Sequence, residues 1–421
     1  MDQVLKRCRK YPVLLTRAQE KAVSAQADAA RTLWNLVHAY YTFHEHSRRY
    51  PSWGQIDAEI KRARREIDWL GVLPAQAAQQ VLRTYRQAWE NRWGGTHARP
   101  TWKSRRVRGA VDIPQARDLN LRRLNGRWGT VQVPKVGVVK IRMHQSPPDR
   151  ITGARLVREA TGWFLVLRGE VTAPMPAPRD RDTETLGVDR GIVHTLATTH
   201  DAGPAFIDQP ATLTPGEAKR LYRLERRAAR QKRAHTRGTP ISNRLACTYA
   251  QIGALRARQA RRRYDFAHQA SAALVGLGYG TYAIENLSVT NMTRSARGTI
   301  TNPGTGVAAK AGLNRAITNQ AWTQIDRLLT YKTEQDGALL VRVRPHGTST
   351  TCHRCGNNAP EQRENQATFR CANTACGWVG NADINAAHNI RTRGQELTSQ
   401  DAEPNGTSQA VKRQPPKRRH T

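Results

Sequence analysis

Four cysteines fall within 25 residues as Cys352-His353-Arg354-Cys355, fifteen residues, then Cys371 and Cys376, a C-x2-C-x15-C-x4-C pattern. Thiols packed this closely in one short stretch read as a metal site, whereas a disulfide framework spreads its cysteines along a secreted chain. The first knuckle and the separation match a structural zinc ribbon, and four thiolates leave no open coordination position. That zinc is expected to stabilise and not to catalyse. The second knuckle, with four intervening residues, departs slightly from the commoner two. Cys8 and Cys247 stand alone, so a reducing, cytoplasmic compartment is expected.

The chain as a whole carries an unusual charge. Lys plus Arg number 68 against 33 Asp plus Glu, a net +35 over 421 residues. Self-repulsion on that scale calls for a standing polyanion, and a small acidic substrate needs only a local basic pocket. Nucleic acid is the expected partner. No apolar run approaches the roughly 18–20 residues of a membrane span, and no signal-peptide core follows the basic N-terminus. The length suggests two or three domains.

Along the chain, Val4 to Leu15 reads as a strand, and Thr16 with Gln19 forms a capping box. Val23, Ala27, Ala30, Trp34, Val37 and Tyr41 line one face of the helix that follows. A second helix is expected over 55–70 and a third from Pro74. Their aromatic stripes are read as core. Arg99-Pro100-Thr101-Trp102-Lys103-Ser104-Arg105-Arg106 is a basic loop with an indole inside it. It reads either as a backbone contact with a base stacked on Trp102, or as a solvated loop with Trp102 packed on the next strand. Strands over 119–124, 130–133, 136–143 and 163–171 suggest a small barrel, and 173–182 a linker.

Between Lys219 and Arg263 there are 15 Lys/Arg and one acid, Glu225. A helical hairpin broken at Gly238-Thr239-Pro240 is expected, with Arg226, Arg227, Arg230, Lys232, Arg233, Arg261, Arg262 and Arg263 available to phosphates. One helix is expected from about 313 toward 340 and a strand over 338–343. The stretch 298–312 reads as a mobile lid or a plain loop, and residues from 391 on as a polar, disordered end.

Two acids sit where acids are costly, and a third opens a helix. Asp189 interrupts the apolar run Thr185–Ala197, Glu285 ends the run Tyr279–Leu287, and Asp383 opens a helix in Asn381-Ala382-Asp383-Ile384-Asn385-Ala386-Ala387. A carboxylate in an apolar strand costs several kcal/mol unless paired or metal-bound. Hard oxygen ligands on adjacent elements suit Mg2+ or Mn2+, and two such ions clamp the attacking and leaving oxygens of a phosphodiester.

These residues resemble the TnpB family of transposon-encoded RNA-guided DNA nucleases, related to the compact type V CRISPR effectors. The similarity spans roughly 1–392. It is carried by Gly187-Val188-Asp189-Arg190-Gly191, Ile284-Glu285-Asn286-Leu287, Thr348-Ser349-Thr350-Thr351-Cys352 and Asn381–Ala387, with Arg99–Ser104 and Val133-Pro134-Lys135-Val136-Gly137 resembling wedge segments. The resemblance implies a multidomain α+β protein. Its parts are a wedge β-barrel (1–15 and 94–180), a helical recognition insert (16–93) and a RuvC nuclease of RNase H-like α/β fold. The nuclease covers 181–345, with the basic hairpin at 217–270, and 381–395. A zinc ribbon that binds the target (346–380) is inserted in it, and a disordered basic tail (396–421) follows.

By the same resemblance Asp189, Glu285 and Asp383 are the catalytic carboxylates, holding Mg2+ or Mn2+, and the four cysteines hold zinc. A guide RNA from the chain's own locus supplies sequence recognition, one RNA per monomer, against double- and single-stranded DNA beside a short motif. A miniature CRISPR effector and an RNA-guided repressor without cleavage remain as alternatives. No Tyr or Ser nucleophile motif stands out for strand transposition.

Overall fold

The computed structural model describes residues 2–44, 49–104, 109–176, 179–201, 205–236, 238–299, 301–365 and 367–402. The chain divides into two compact units that meet in sequence at Pro174 and Met175.

The first unit opens with β1 (Asp2–Leu14). The helices α1 (Arg17–Phe43), α2 (Trp53–Glu66), α3 (Asp68–Gly71) and α4 (Ala75–Trp93) follow. Thr16 and Gln19 form the expected capping box. The single helix expected over 55–70 is two, because Ile67 adopts an extended conformation (φ −115°, ψ 106°) and buries Leu70 behind the break.

The strands β2 (Ala110–Ile113), β3 (Arg122–Arg123), β4 (Trp128–Val133), β5 (Gly137–Arg142), β6 (Arg150–Glu159) and β7 (Gly162–Pro174) join β1 in a sheet of order β2-β6-β7-β1-β5-β4-β3. β1 changes partner along its length: Asp2 to Pro12 pair with β7, and Val13 and Leu14 with β5. Among the described residues no ladder joins β2 to β3, so hydrogen bonds do not close the expected barrel. Instead a 3-10 turn, Ala116–Leu119, touches both β4 and β6 and buries Leu119 between the two ends of the sheet. That turn and the short β3 replace the strand expected over 119–124. The helices do not form a core of their own. Val23, Ala27, Trp34 and Tyr85 share one apolar cluster with Val111, Ile113 and Leu165 of the sheet.

The second unit is built on a five-stranded sheet of order β10-β9-β8-β11-β12. Its strands are β8 (Arg181–Asp189), β9 (Leu196–Thr198), β10 (Phe206–Ile207), β11 (Tyr279–Glu285) and β12 (Leu339–Val343). β8, β9 and β10 run antiparallel in turn, whereas β11 pairs parallel with both β8 and β12.

Between β10 and β11 stands the expected hairpin, α5 (Pro215–Arg233) and α6 (Asn243–Val275), joined along Leu224, Ala228, Leu245, Ile252 and Leu255. Beyond β11 come α7 (Val289–Met292), α8 (Val307–Asn319) and α9 (Trp322–Asp336). Two of these replace the single helix expected from 313, since Ala321 takes a left-handed conformation (φ 56°) and breaks it. Only part of 298–312 is loop: Gly298 bridges Pro303, and α8 begins at Val307. A two-stranded ribbon, β13 (Thr368–Arg370) and β14 (Val379–Asn381), precedes the last helix, α10 (Ala382–Ala402).

Strand side chains alternate between faces, and that alternation organises this unit. Leu186, Val188, Tyr282 and Ile284 pack against Phe266, Ala270, Ile325 and Leu328 of α6 and α9. The alternate positions face α10, where Ala283 meets Ile390. Gly187 lies on that face, and a Cβ there would collide with the Ala387 carbonyl, so its lack of a side chain lets helix and strand touch backbone to backbone. The end expected to be disordered from 391 is helical to Ala402. Gly394 is buried against Ala283, and Arg393 donates to the carbonyls of Arg344 and His346 at 2.9 and 2.7 Å. The basic tail beyond Ala402 lies outside the described residues.

Candidate active site and zinc module

Asp189 and Glu285 are the last residues of β8 and β11, and each follows a pair in register, Val188 opposite Ile284. Both occupy the face toward α10. Asp383 is the second residue of α10, where Asn381 Oδ1 accepts from the backbone N–H groups of Asp383 and Ile384 at 2.8 and 3.1 Å and starts the helix. All three carboxylates are buried, at 7%, 6% and 6% exposure. Burial first, then the charges of Glu285 and Asp383, push the Asp189 carboxyl up to about 7. Burial also raises Glu285, against a hydrogen bond from Thr348 that favours its ionised form.

Neighbouring side chains hold this cluster. Thr348 Oγ1 donates to Glu285 Oε1 at 2.6 Å, and Asn389 Nδ2 donates to the Thr348 carbonyl at 2.9 Å. Asn385 Nδ2 and Asn389 Nδ2 both donate to the Thr351 carbonyl at 2.7 Å. Arg190, almost fully buried, donates to the Glu285 carbonyl and pairs with Asp326, tying the ends of β8 and β11 together. Arg363 donates to Asp383 Oδ1 at 3.1 Å. The amides of Asn385 and Asn389, at i and i+4, are the one legible signal, since two such side chains share a helix face.

A cluster of mutually repelling buried carboxylates fits a bound cation better than it fits the bare protein. Among the described residues the four cysteines are the one group of three or more ligand-type side chains whose donor atoms all lie within 4.8 Å of one another. Asp189, Glu285 and Asp383 do not form such a group: their oxygens do not all lie within 4.8 Å of one another.

The cysteines converge from two knuckles of matching construction. Cys355 and Cys376 are each followed by a glycine of positive φ, Gly356 at 73° and Gly377 at 56°. The backbone turns there so that Gly356 N–H reaches the Cys352 carbonyl and Gly377 N–H the Asn373 carbonyl. The longer second knuckle closes through Cys376 N–H to the Asn373 carbonyl at 3.0 Å, so its two extra residues are absorbed in a turn. The Asn357 backbone N–H pulls Cys355 down to about 7, whereas burial pushes Cys371 up to about 12, so without a metal the clustered thiols share their protons unequally.

Residues 168–296 match the family model described as "Probable transposase", and residues 322–390 match "Cas12f1-like, TNB domain". The chain is 31% identical over 383 residues to a putative RNA-guided DNA endonuclease, InsQ, of Escherichia coli (strain K12), covering 90% of each. The chain belongs to the TnpB family. This is a family of RNA-guided DNA endonucleases related to Cas12f. A second relative, a putative RNA-guided DNA endonuclease of Streptomyces pristinaespiralis, is 27% identical over 407 residues, 94% of this chain and 90% of that one. In fold the chain is similar to Cas12f1 solved in complex with sgRNA and target DNA. The TM-score is 0.55 at 13% identity, over 89% of this chain and 82% of that one.

Within this TnpB chain the expected nucleic-acid contacts sort into two groups. Arg226, Arg227, Arg230, Lys232 and Arg233 are exposed on α5, and Arg261 on α6. Arg262, also exposed, is held by Glu217 at 2.6 Å, and Arg263 donates to Asn319 at 3.0 Å. Arg262 and Arg258, with the Thr214 backbone, pull the Glu217 carboxyl down to about 2.

In the first unit, Trp34 Nε1 donates to the Thr101 carbonyl at 3.0 Å and Asn35 makes a pair of hydrogen bonds with the Lys103 backbone, which pin the basic loop to α1. Trp102 is 59% exposed with its edge on His38, so it is not packed on a strand. Lys103 lies over the Trp34 ring at 3.6 Å, and burial, aided by Arg155, pushes its ammonium down to about 8. Arg99 lies over Trp89. Arg105 and Arg106 lie outside the described residues. No helix among the described residues is long and apolar enough to cross a membrane.

Proposed function

We propose that this chain is a guide-RNA-directed DNA endonuclease whose hydrolytic site is Asp189, Glu285 and Asp383, on a nuclease of RuvC type and RNase H-like fold. The observation that carries the reading is the placement of three buried acids on one face, two at the ends of neighbouring parallel strands and one in the first turn of the helix packed on them. The strand order, three antiparallel strands followed by two parallel ones, supports the fold. The curled sheet and helices of the first unit would be the wedge and recognition parts, and the cysteine module the target-binding insert with its structural zinc.

Bound at these carboxylates, Mg2+ or Mn2+ would activate water and neutralise the charge developing on the scissile phosphate. The chain's own residues prepare that chemistry. Thr348 keeps one oxygen of Glu285 oriented and favours its ionised form. Asn381 sets Asp383 by starting α10 beneath it, and Arg190 holds the two strand ends at constant separation. The exposed arginines of α5 would neutralise backbone phosphates without reading bases, as a guide-directed protein requires.

A transposon-type enzyme is favoured over a miniature CRISPR effector. The InsQ match runs over 90% of the chain, whereas that to CRISPR-associated endodeoxyribonuclease Cas12f1 of Sulfoacidibacillus thermotolerans, 38% identical, spans 77 residues. The test is cleavage of a guided double-stranded target by protein carrying RNA from its own locus, with Mg2+. Asp189→Ala, Glu285→Ala and Asp383→Ala should each abolish cutting and keep the gel-shift complex. Guided binding by the wild type with no cutting under Mg2+ or Mn2+ would leave a repressor in its place.

A further inference from the structure

A cavity of about 230 Å3 opens in the first unit between α1, α4 and β2. Ala27, Ala77 and Val81 give it an apolar wall, and Arg31, Lys103, Asp112 and Arg155 bring charge to it. Lys103 is fixed there by its surroundings. Its backbone N–H donates to Asn35 Oδ1 at 2.8 Å, and its carbonyl accepts from Asn35 Nδ2 at 3.0 Å. From that anchored backbone the ammonium stands 3.6 Å from the centre of the Trp34 ring. Asp112, the acid on the cavity wall, is taken by Arg155 at 2.9 Å and by Arg168 at 3.8 Å. Among the described residues no carboxylate pairs with Lys103. Asp112 still favours the ammonium from a distance, but burial and Arg155 outweigh it and push Lys103 down to about 8.

A lysine is a nucleophile only as the free amine. Near pH 7.5 an ordinary lysine holds about 0.1% of that form, whereas one at about 8 holds roughly a quarter. The cavity also offers a seat for a second reactant. Arg31 and Arg155 line it with guanidinium groups, whose planar forks match phosphate oxygens. Arg31 spends one hydrogen bond on Asp28 at 3.3 Å and Arg155 one on Asp112, which leaves each further donors. We infer that Lys103 is an acylation site whose donor is a small acyl phosphate seated in this cavity. The phosphate lies on the two arginines and the acyl carbon faces Nζ. The nitrogen lone pair attacks that carbon, the N–C bond forms, and the C–O bond to phosphate breaks. Inorganic phosphate leaves with the electron pair, and the amine's proton passes to solvent. The amide formed is neutral, so the burial that costs the ammonium costs the product less. The basic loop loses one cation. None of this depends on the carboxylates or on their hydrolytic reading.

The full chain, freed of RNA, tests this with acetyl phosphate as the probe and peptide mass spectrometry as the readout. Lys103 should be acetylated at least about tenfold faster than the exposed Lys6 and Lys140. Inorganic phosphate in excess should slow Lys103 alone, a measurement that needs no variant. Arg31→Gln should slow Lys103 about tenfold and leave Lys6 and Lys140 unchanged, and Arg31→Lys should recover part of the rate. Acetic anhydride, which carries no phosphate, separates the seat from the amine. With it Lys103 should keep its lead in wild type and in Arg31→Gln alike, which also shows the variant folded around the amine. Acetylation of Lys103 by acetyl phosphate no faster than of Lys140 overturns the inference. So does a Lys103 rate that neither excess phosphate nor Arg31→Gln changes by more than about twofold, since the amine would then be reactive without a seat.

Discussion

The Thr348 hydroxyl donates to Glu285 Oε1 at 2.6 Å, across 63 residues of sequence, and Thr348 is 1% exposed. The hydrogen bond joins the turn that leads into the first knuckle to the end of β11. Because the same threonine's carbonyl is held by Asn389 of α10, that turn, β11 and α10 lock through one residue.

Thr348→Val should therefore act on Glu285 without touching the sheet. The lost hydrogen bond is one that favours the ionised carboxylate, so Glu285 rises further above its ordinary range. The acid limb of the cleavage–pH profile should move to higher pH, and the rate below neutrality should fall on the order of 10–100-fold, as for other residues that orient metal ligands. Thr348→Ser, which keeps the hydroxyl, should stay close to wild type. Rate–pH profiles of the two variants check this.

Asp189 carries a stability signature of its own. Its carboxyl, ordinarily near 3.8, stands at about 7 in the folded chain. A folded value above the unfolded one means that the stabilising protonated state is fully present below about pH 4 and lost as pH rises through about 7. Without Mg2+, and with zinc retained, the melting temperature should fall over that window. By pH 8 the cost reaches at most about 4 kcal/mol, since each pH unit between the unfolded and folded values contributes about 1.4 kcal/mol. Asp189→Asn should remove most of that fall, and Mg2+ should raise the wild-type melting temperature more at pH 8 than at pH 5. Thermal denaturation at both pH values, with and without Mg2+, is the measurement.

What the sequence disclosed and what it hid follow from range. Asp189 stands out because it interrupts an apolar run, Glu285 because it ends one, and the cysteines because spacing alone defines a knuckle. Gly187 is visible inside its motif, though its reason, the approach of the Ala387 carbonyl, needs the helix in place. Thr348 and Arg190 lie inside quoted motifs and Arg363 outside them, yet none is legible as a partner, since their hydrogen bonds span 63, 95 and 20 residues. β6 escapes because a register shift between Ile151 and Gly153 breaks its alternation and buries the consecutive Gly153 and Ala154. The end of α10 looks disordered because its composition is polar, and the packing of Gly394 on Ala283 does not show in composition.

The cysteine module should be indispensable to the geometry it supports. Freshly purified protein should contain about one zinc per chain by elemental analysis. Cys371→Ser should lose it and lower the melting temperature, because a structural site contributes folding energy directly. His353 lies within the first knuckle, and its backbone N–H donates to Asn385 Oδ1 of α10 at 3.0 Å. Release of the knuckle should therefore also loosen the start of α10, and amide hydrogen exchange over 382–390 should quicken in the same variant.

The basic hairpin holds exposed cations beside ion-paired ones within a single run of arginines. Arg226, Arg227, Arg230, Lys232 and Arg233 are exposed on α5, and Arg226 stands over the exposed Tyr222 ring at 5.7 Å. If they neutralise phosphates, changing all five to glutamine should flatten the dependence of log affinity on log salt by about 0.7–0.9 for each phosphate no longer neutralised, with little change in melting temperature. Arg262 is the internal control. It holds Glu217, whose carboxylate also accepts from Thr214 at the start of α5, so Arg262→Gln should loosen that helix and leave the salt slope nearly unchanged. RNA binding measured from about 50 to 200 mM salt on both variants distinguishes the two roles. An unchanged slope in the five-residue variant would make α5 a solvated face and would place the RNA on another surface of this strongly basic chain.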